Sequence, residues 1–153
     1  QAAAEMYGDI SHPTIVDIVL MILDTWDEAQ IKHPDATWEE LRFWKVDVSG
    51  AYTWLDFQPS DVSNMCQEMA NDRVFVSLVG VFGASILPFA FNVITEAYRF
   101  QAARTTKGKT GIYVDDGYGC VLKRDLPFEM NNARSIIENL IGEGSMEVQL
   151  WTF

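Results

Sequence analysis

The stretch Gly111-Ile112-Tyr113-Val114-Asp115-Asp116-Gly117-Tyr118-Gly119-Cys120-Val121-Leu122 decides how this chain is read. Two runs holding β-branched and aromatic residues flank an acidic dipeptide, which predicts a tight hairpin with Asp115 and Asp116 at its bend. A third acidic residue stands far upstream in a similar setting: Asp47 lies inside a predicted strand from Phe43 to Ser49. A lone carboxylate on an apolar strand is costly to bury. Pairing with Lys45 or capping a helix are the structural ways to offset that cost.

Working outward, the elements around these two segments are mixed. From Thr14 to Lys32, Ile15, Ile18, Val19, Ile22, Leu23 and Trp26 recur at helical spacing, with Asp17, Asp24, Asp27 and Glu28 opposite. Ser11 is the expected N-cap, Pro13 suits the first turn, and Pro34 ends the helix. Thr37-Trp38-Glu39-Glu40 fits a capping box opening a short second helix. Small residues Gly50 and Ala51 lead into a helical segment near Tyr52 to Phe57, and Pro59-Ser60-Asp61 reads as a turn or helix start. Met65 to Met69 and Val74 to Val81 form a predicted hairpin around Asn71-Asp72. A loop through Gly80, Gly83 and Ser85 precedes Pro88 and a helix over Phe89 to Ala103. Arg104 to Gly111 is basic and reads as an exposed connection. A last helix, Pro127 to Ile141, stops at Gly142 and Gly144, and Met146 to Phe153 is a final strand. The sum is an α+β fold, an antiparallel sheet with helices packed on one face.

Composition sets limits. The 153 residues are 48% hydrophobic and 22% charged, enough for one domain with a real core. The net charge of −11 argues against a free-standing nucleic-acid binder, because phosphate affinity comes from Lys and Arg. The chain begins at Gln1 with no basic stretch ahead of an apolar one, so neither a signal peptide nor a membrane span is expected. Cys66 and Cys120 have no metal-type spacing and read as reduced, mostly buried thiols of an intracellular protein. His12 and His33 read as surface residues beside prolines.

The segments Lys45 to Tyr52, Leu87-Pro88-Phe89-Ala90-Phe91 and Tyr113-Val114-Asp115-Asp116 resemble, in this order, three motifs of reverse transcriptases. The resemblance is to the catalytic palm of a retroelement enzyme of the retrotransposon kind, and covers residues 41 to 122 best. It implies a lead-in with partial fingers over 1–40 and a palm over 41–153, within one compact domain. It further implies an RNA-directed DNA polymerase that adds dNTPs to a primer 3′-OH with two Mg²⁺ ions, or Mn²⁺ in their place. Asp47, Asp115 and Asp116 would be its catalytic carboxylates and, with the Val48 carbonyl, its metal ligands. Tyr52 would be the steric gate against a ribose 2′-OH, with Ala51, Phe89 and Ala90 lining the nucleotide pocket. The implied partners are an RNA or DNA template-primer, a dNTP and flanking fingers, thumb or polyprotein domains, with no membrane.

Phosphoryl transfer explains why carboxylates should converge: metal ions held by them neutralise the attacking and leaving oxygens. Without metal, two carboxylates about 4 Å apart repel by roughly 4 kcal/mol at an effective dielectric of 20, so metal is expected to stabilise the fold. The sequence departs from the family in three ways. Ala90 stands where glycine is frequent, the bases before Asp47 are Lys32, Arg42 and Lys45 without a triphosphate-gripping motif, and no lysine follows Lys123. These departures keep a second expectation open, a catalytically inactive reverse-transcriptase-like interaction module. A third is another palm-fold enzyme such as a nucleotidyl cyclase.

Overall fold

A computed structural model of the chain describes residues 10, 12–56, 58, 60, 66–80 and 86–147. In chain order these form α1 (Ile15–Lys32), a 3-10 turn (Trp38–Glu40), β1 (Leu41–Val48) and a second 3-10 turn (Ala51–Trp54). There follow β2 (Cys66–Met69), β3 (Arg73–Val76), α2 (Leu87–Thr105), β4 (Lys109–Tyr113), β5 (Asp116–Leu122), α3 (Leu126–Ile141) and β6 (Met146–Glu147). The architecture is α+β, with a four-stranded sheet in the order β4-β5-β1-β6 and a separate β2-β3 hairpin. All the strand pairings are antiparallel.

Period-two alternation divides the main sheet into two faces. Trp44, Val46 and Val48 of β1, Ile112 of β4 and Val121 of β5 point to one face and are buried. There they join Phe91, Tyr98 and Ala102 of α2 and Met130, Ala133, Ile136 and Ile137 of α3 in the main core. Fully burying an aromatic or aliphatic side chain stabilises the fold by about 1.5–3 kcal/mol. Glycines in β5 make room for the largest of them. A Cβ on Gly117 would sit 2.6 Å from Val46 Cγ2, and one on Gly119 would sit 2.5 Å from the Trp44 ring. These glycines are the cross-strand partners of Val46 and Trp44, so they set how closely β1 and β5 pack.

The opposite face carries the alternate residues Phe43, Lys45 and Asp47 of β1 and Asp116, Tyr118, Cys120 and Leu122 of β5. Here the expectation of helices on one face needs correction, because α1 packs on this second side. Its Thr25 hydrogen-bonds the Cys120 thiol, its Ala29 clusters with Ala36 and Leu122, and its Glu28 pairs with Lys109. Of the two thiols expected to be buried, Cys120 is, beneath α1, and Cys66 on the β2-β3 hairpin is exposed. The inward stripe of α1 therefore runs through small residues, and Ile15, Val16, Val19, Leu20 and Leu23 are exposed.

Several boundaries differ from the sequence reading for local reasons. The N-cap of α1 is Thr14: its Oγ1 accepts from Asp17 N (3.2 Å), and Asp17 Oδ2 accepts from Thr14 N (2.7 Å). This completes the capping box. Ser11 lies outside the described residues. The Thr37 box supports only one 3-10 turn, with Thr37 N donating to Glu40 Oε2 (3.1 Å). Within the expected exposed connection Arg104–Gly111, α2 runs on to Thr105 and Lys109–Gly111 belongs to β4. The β3 strand ends at Val76, with Val79 in an isolated bridge to Asp56. Residues 57, 59, 61–65, 81–85 and 148–153 are outside the described set, and with them Phe57, Pro59, Asp61, Met65, Val81, Gly83, Ser85 and most of the expected final strand. Among the described residues no helix is long and apolar enough to cross a membrane.

Candidate active site

The β1-β5 register brings the two acidic stretches together. Asp47 stands directly opposite Asp116, and Asp116 is also opposite Tyr113 across the hairpin. On its other side Asp47 is in register with position 147 of β6. Like charges directly opposite in a sheet are destabilising, and this pair is fixed by the buried residues on either side of it. What offsets the repulsion is Lys45, which alternation puts on the same face as Asp47. Its Nζ lies 2.8 Å from Asp116 Oδ1. The hydrogen bond to Asp116 holds the ammonium above its ordinary range against the opposing effect of burial, and attraction from Asp116, Asp47 and Asp115 adds to it.

The hairpin bend is Val114-Asp115, with Asp116 already the first residue of β5, one position from the expected bend. Val114 has φ 52°, a left-handed conformation rarely adopted by a β-branched residue. Such a backbone costs on the order of 1–3 kcal/mol and persists only where the surroundings over-determine it. Three contacts do so. The Val114 side chain is buried in the core. The Thr95 hydroxyl of α2 donates to the Val114 carbonyl (3.0 Å). The Val48 amide donates to the Asp115 carbonyl (3.0 Å), which locks the bend to the end of β1. Burial pushes the half-buried Asp115 carboxyl above its ordinary range. Its own backbone hydrogen bond opposes this, Asp116 adds to it, and Lys45 pulls it back.

Tyr52 approaches from the 3-10 turn that follows β1. Gly50, at φ 59°, reverses the chain after Ser49, and Ala51 is buried at the head of the turn. The Tyr52 ring meets Phe91 edge-on at 6.2 Å. Its phenol is held above the ordinary range by burial first, then by the nearby Asp115 and Tyr113. Phe89 and Ala90 occupy the first turn of α2 and are half-buried, in the same stretch as Phe91. Exposed His12 lies tilted against the Tyr113 ring, with centroids 4.7 Å apart and planes at 37°.

Asp47, Asp115, Asp116 and Tyr52 are thus gathered at one sheet end, and Val48 contributes through its amide. One participant was foreseen with a different partner, and one was not foreseen. Lys45 pairs with Asp116 rather than serving Asp47 alone, and Thr95 is fully buried under the bend. The helical spacing of Phe91, Thr95 and Tyr98 is the signal that places Thr95 on the core face.

Mg²⁺ takes hard oxygen ligands, and the donors available here are three carboxylates. Lys45 is a stand-in cation seated against one of them and attracted by the other two, so positive charge is favoured at this spot. Among the described residues no three His, Cys, Asp or Glu side chains are close enough, as they stand, to hold one ion. Asp47 and Asp116 are cross-strand neighbours, about 4.5–5.5 Å apart at Cα, and three carboxylates suit the ion in their chemistry. No protein-family model matches the chain, and no curated protein matches it.

Proposed function

We propose that the chain is the palm of an RNA-directed DNA polymerase of retroelement type, which transfers deoxynucleotides to a primer 3′-hydroxyl. The observation that carries this reading is the pairing of Asp47 with Asp116 beside a strained bend bearing Asp115. Mg²⁺ or Mn²⁺, held as two ions by Asp47, Asp115, Asp116 and the Val48 carbonyl, would neutralise the attacking and leaving oxygens of an in-line displacement. The protein's own part is positioning. The Val48–Asp115 hydrogen bond and the β1-β5 register keep the carboxylates at one end of the sheet. The Tyr52 ring, backed by Phe91, fills the space of a ribose 2′-hydroxyl, and Ala51, Phe89 and Ala90 wall the nucleotide pocket. With a net charge of −11, the basic track for the template-primer has to come from flanking fingers and thumb or other polyprotein domains.

Primer extension on an RNA template by the full-length product of the reading frame tests this reading. Deoxynucleotide incorporation is expected. Asp115→Asn should lower it about a thousandfold, equivalent to ~4 kcal/mol of transition-state stabilisation. No incorporation by the unmutated protein would contradict the proposal.

A second reading, the inactive interaction module, is favoured by the engagement of the bases ahead of Asp47. Lys32 pairs with Glu28 at 3.5 Å, Arg42 Nη1 donates to the carbonyls of Glu39 and Leu41 (2.7 Å each), and Lys45 holds Asp116. Binding of neither Mn²⁺ nor nucleotide would favour this reading.

A further inference from the structure

We infer that Lys45 is a resident counter-cation of the carboxylate cluster: a positioning residue that holds Asp116 in place until a divalent ion arrives and withdraws when the ion binds. The inference rests on the nucleotidyl-transfer reading and adds a competition step to it.

The sheet gives the carboxylates no freedom to separate by backbone movement. Trp44, Val46 and Val48 are buried on the far face, and slipping β1 by one residue would bring them out of the core. Asp47 and Asp116 therefore stay opposite each other whether or not metal is present. Lys45 is opposite Tyr118, diagonal to Asp116, and its long stem spans that diagonal to place Nζ 2.8 Å from Oδ1.

The pair is also built to open. The Lys45 side chain is 40% exposed and that of Asp116 42% exposed, so the ammonium can swing into water without crossing the core. A lysine ammonium is a compact point charge on a flexible stem. It and a divalent ion cannot share the same carboxylate oxygens without strong repulsion. Metal affinity is thus set by competition with an internal cation. Removing that cation should act in opposite directions on the metal-free fold and on metal binding, which a merely structural ion pair would not do.

The test is Mn²⁺ binding, followed by calorimetry and by the electron paramagnetic resonance of free Mn²⁺, in the unmutated protein, Lys45→Met and Lys45→Arg. Lys45→Met should bind Mn²⁺ about tenfold more tightly, while melting lower than the unmutated protein in the absence of metal. Lys45→Arg should restore the unmutated behaviour. A measurement on the unmutated protein covers the case in which Lys45→Met does not fold. The ¹³Cε resonance of Lys45 should shift on Mg²⁺ addition, saturating with the same affinity as metal binding. Equal Mn²⁺ affinity in Lys45→Met, or a Lys45 resonance that ignores Mg²⁺, overturns the inference and leaves the nucleotidyl-transfer reading standing. Absence of Mn²⁺ binding in all three proteins overturns both.

Discussion

Cys120 shows how one residue's burial becomes a property of the fold. It lies on the α1 side of β5, and burial pushes its thiol from the ordinary 9.0 up to about 11, with hydrogen bonds to Thr25 and the Val121 backbone pulling it down. Below pH 9 the thiol is protonated in both folded and unfolded chains, and its contribution to stability is constant. Between pH 9 and about 11 the unfolded chain gives up the proton and the folded chain keeps it, so stability falls as pH rises. The full span corresponds to about 3 kcal/mol. Buried Tyr98, pushed up to about 12 by burial, extends the loss to higher pH. Denaturant unfolding from pH 7 to 11 should show this decline, and Cys120→Ala should lose less over pH 9–11. Equal losses in the two proteins would show that α1 does not shield this thiol. At the same scale, Lys107 and Lys109 are tethered rather than free in a solvated loop. Lys107 pairs with Asp125 and lies over the Phe128 ring, and Lys109 pairs with Glu28.

Among the elements, α2 and the β4-β5 hairpin depend on each other through Thr95. Replacing it by valine removes the donor to the Val114 carbonyl and leaves that carbonyl buried and unpaired, a loss of about 1–3 kcal/mol. Under the polymerase reading, because Val114 carries the strained bend, Thr95→Val should also lower primer extension, and Thr95→Ser should restore most of it. Thermal unfolding and primer extension on both variants check this, and full activity in Thr95→Val would mean the bend needs no such support. The β1 strand and the apolar wings of the hairpin were legible in the sequence because β-branched and aromatic residues favour strands. The order of Asp47 and Asp115-Asp116 was legible too. The bend was misplaced by one residue because nothing in valine's chemistry favours a positive φ; tertiary contacts impose it. The start of β4 at Lys109 and Thr110 was hidden because a short edge strand carrying lysine reads like a loop. The side taken by α1 was hidden because its fully buried contacts run through Thr25 and Ala29, while Ile15, Val16, Val19, Leu20 and Leu23 are exposed. Lys45 was visible only as a neighbour of Asp47, since its partner is set by a cross-strand diagonal.

For the whole molecule, two features define what the sheet presents. One end gathers three carboxylates and a single lysine, in a chain with a net charge of −11. Elsewhere the β2-β3 hairpin and the outer stripe of α1 expose apolar residues, Phe75 and Leu20 among them. Under the polymerase reading, these surfaces and the missing basic track both point to flanking domains as part of the working enzyme. That reading depends on divalent ions being accepted where the two acidic stretches meet. The most direct test is a crystal structure of the protein soaked in Mn²⁺, read by anomalous scattering. The account predicts an anomalous peak bound by the carboxylates of Asp47 and Asp115, with Lys45 Nζ withdrawn from Asp116. A well-ordered sheet end with no Mn²⁺ peak, and Lys45 still on Asp116 at saturating metal, would contradict it.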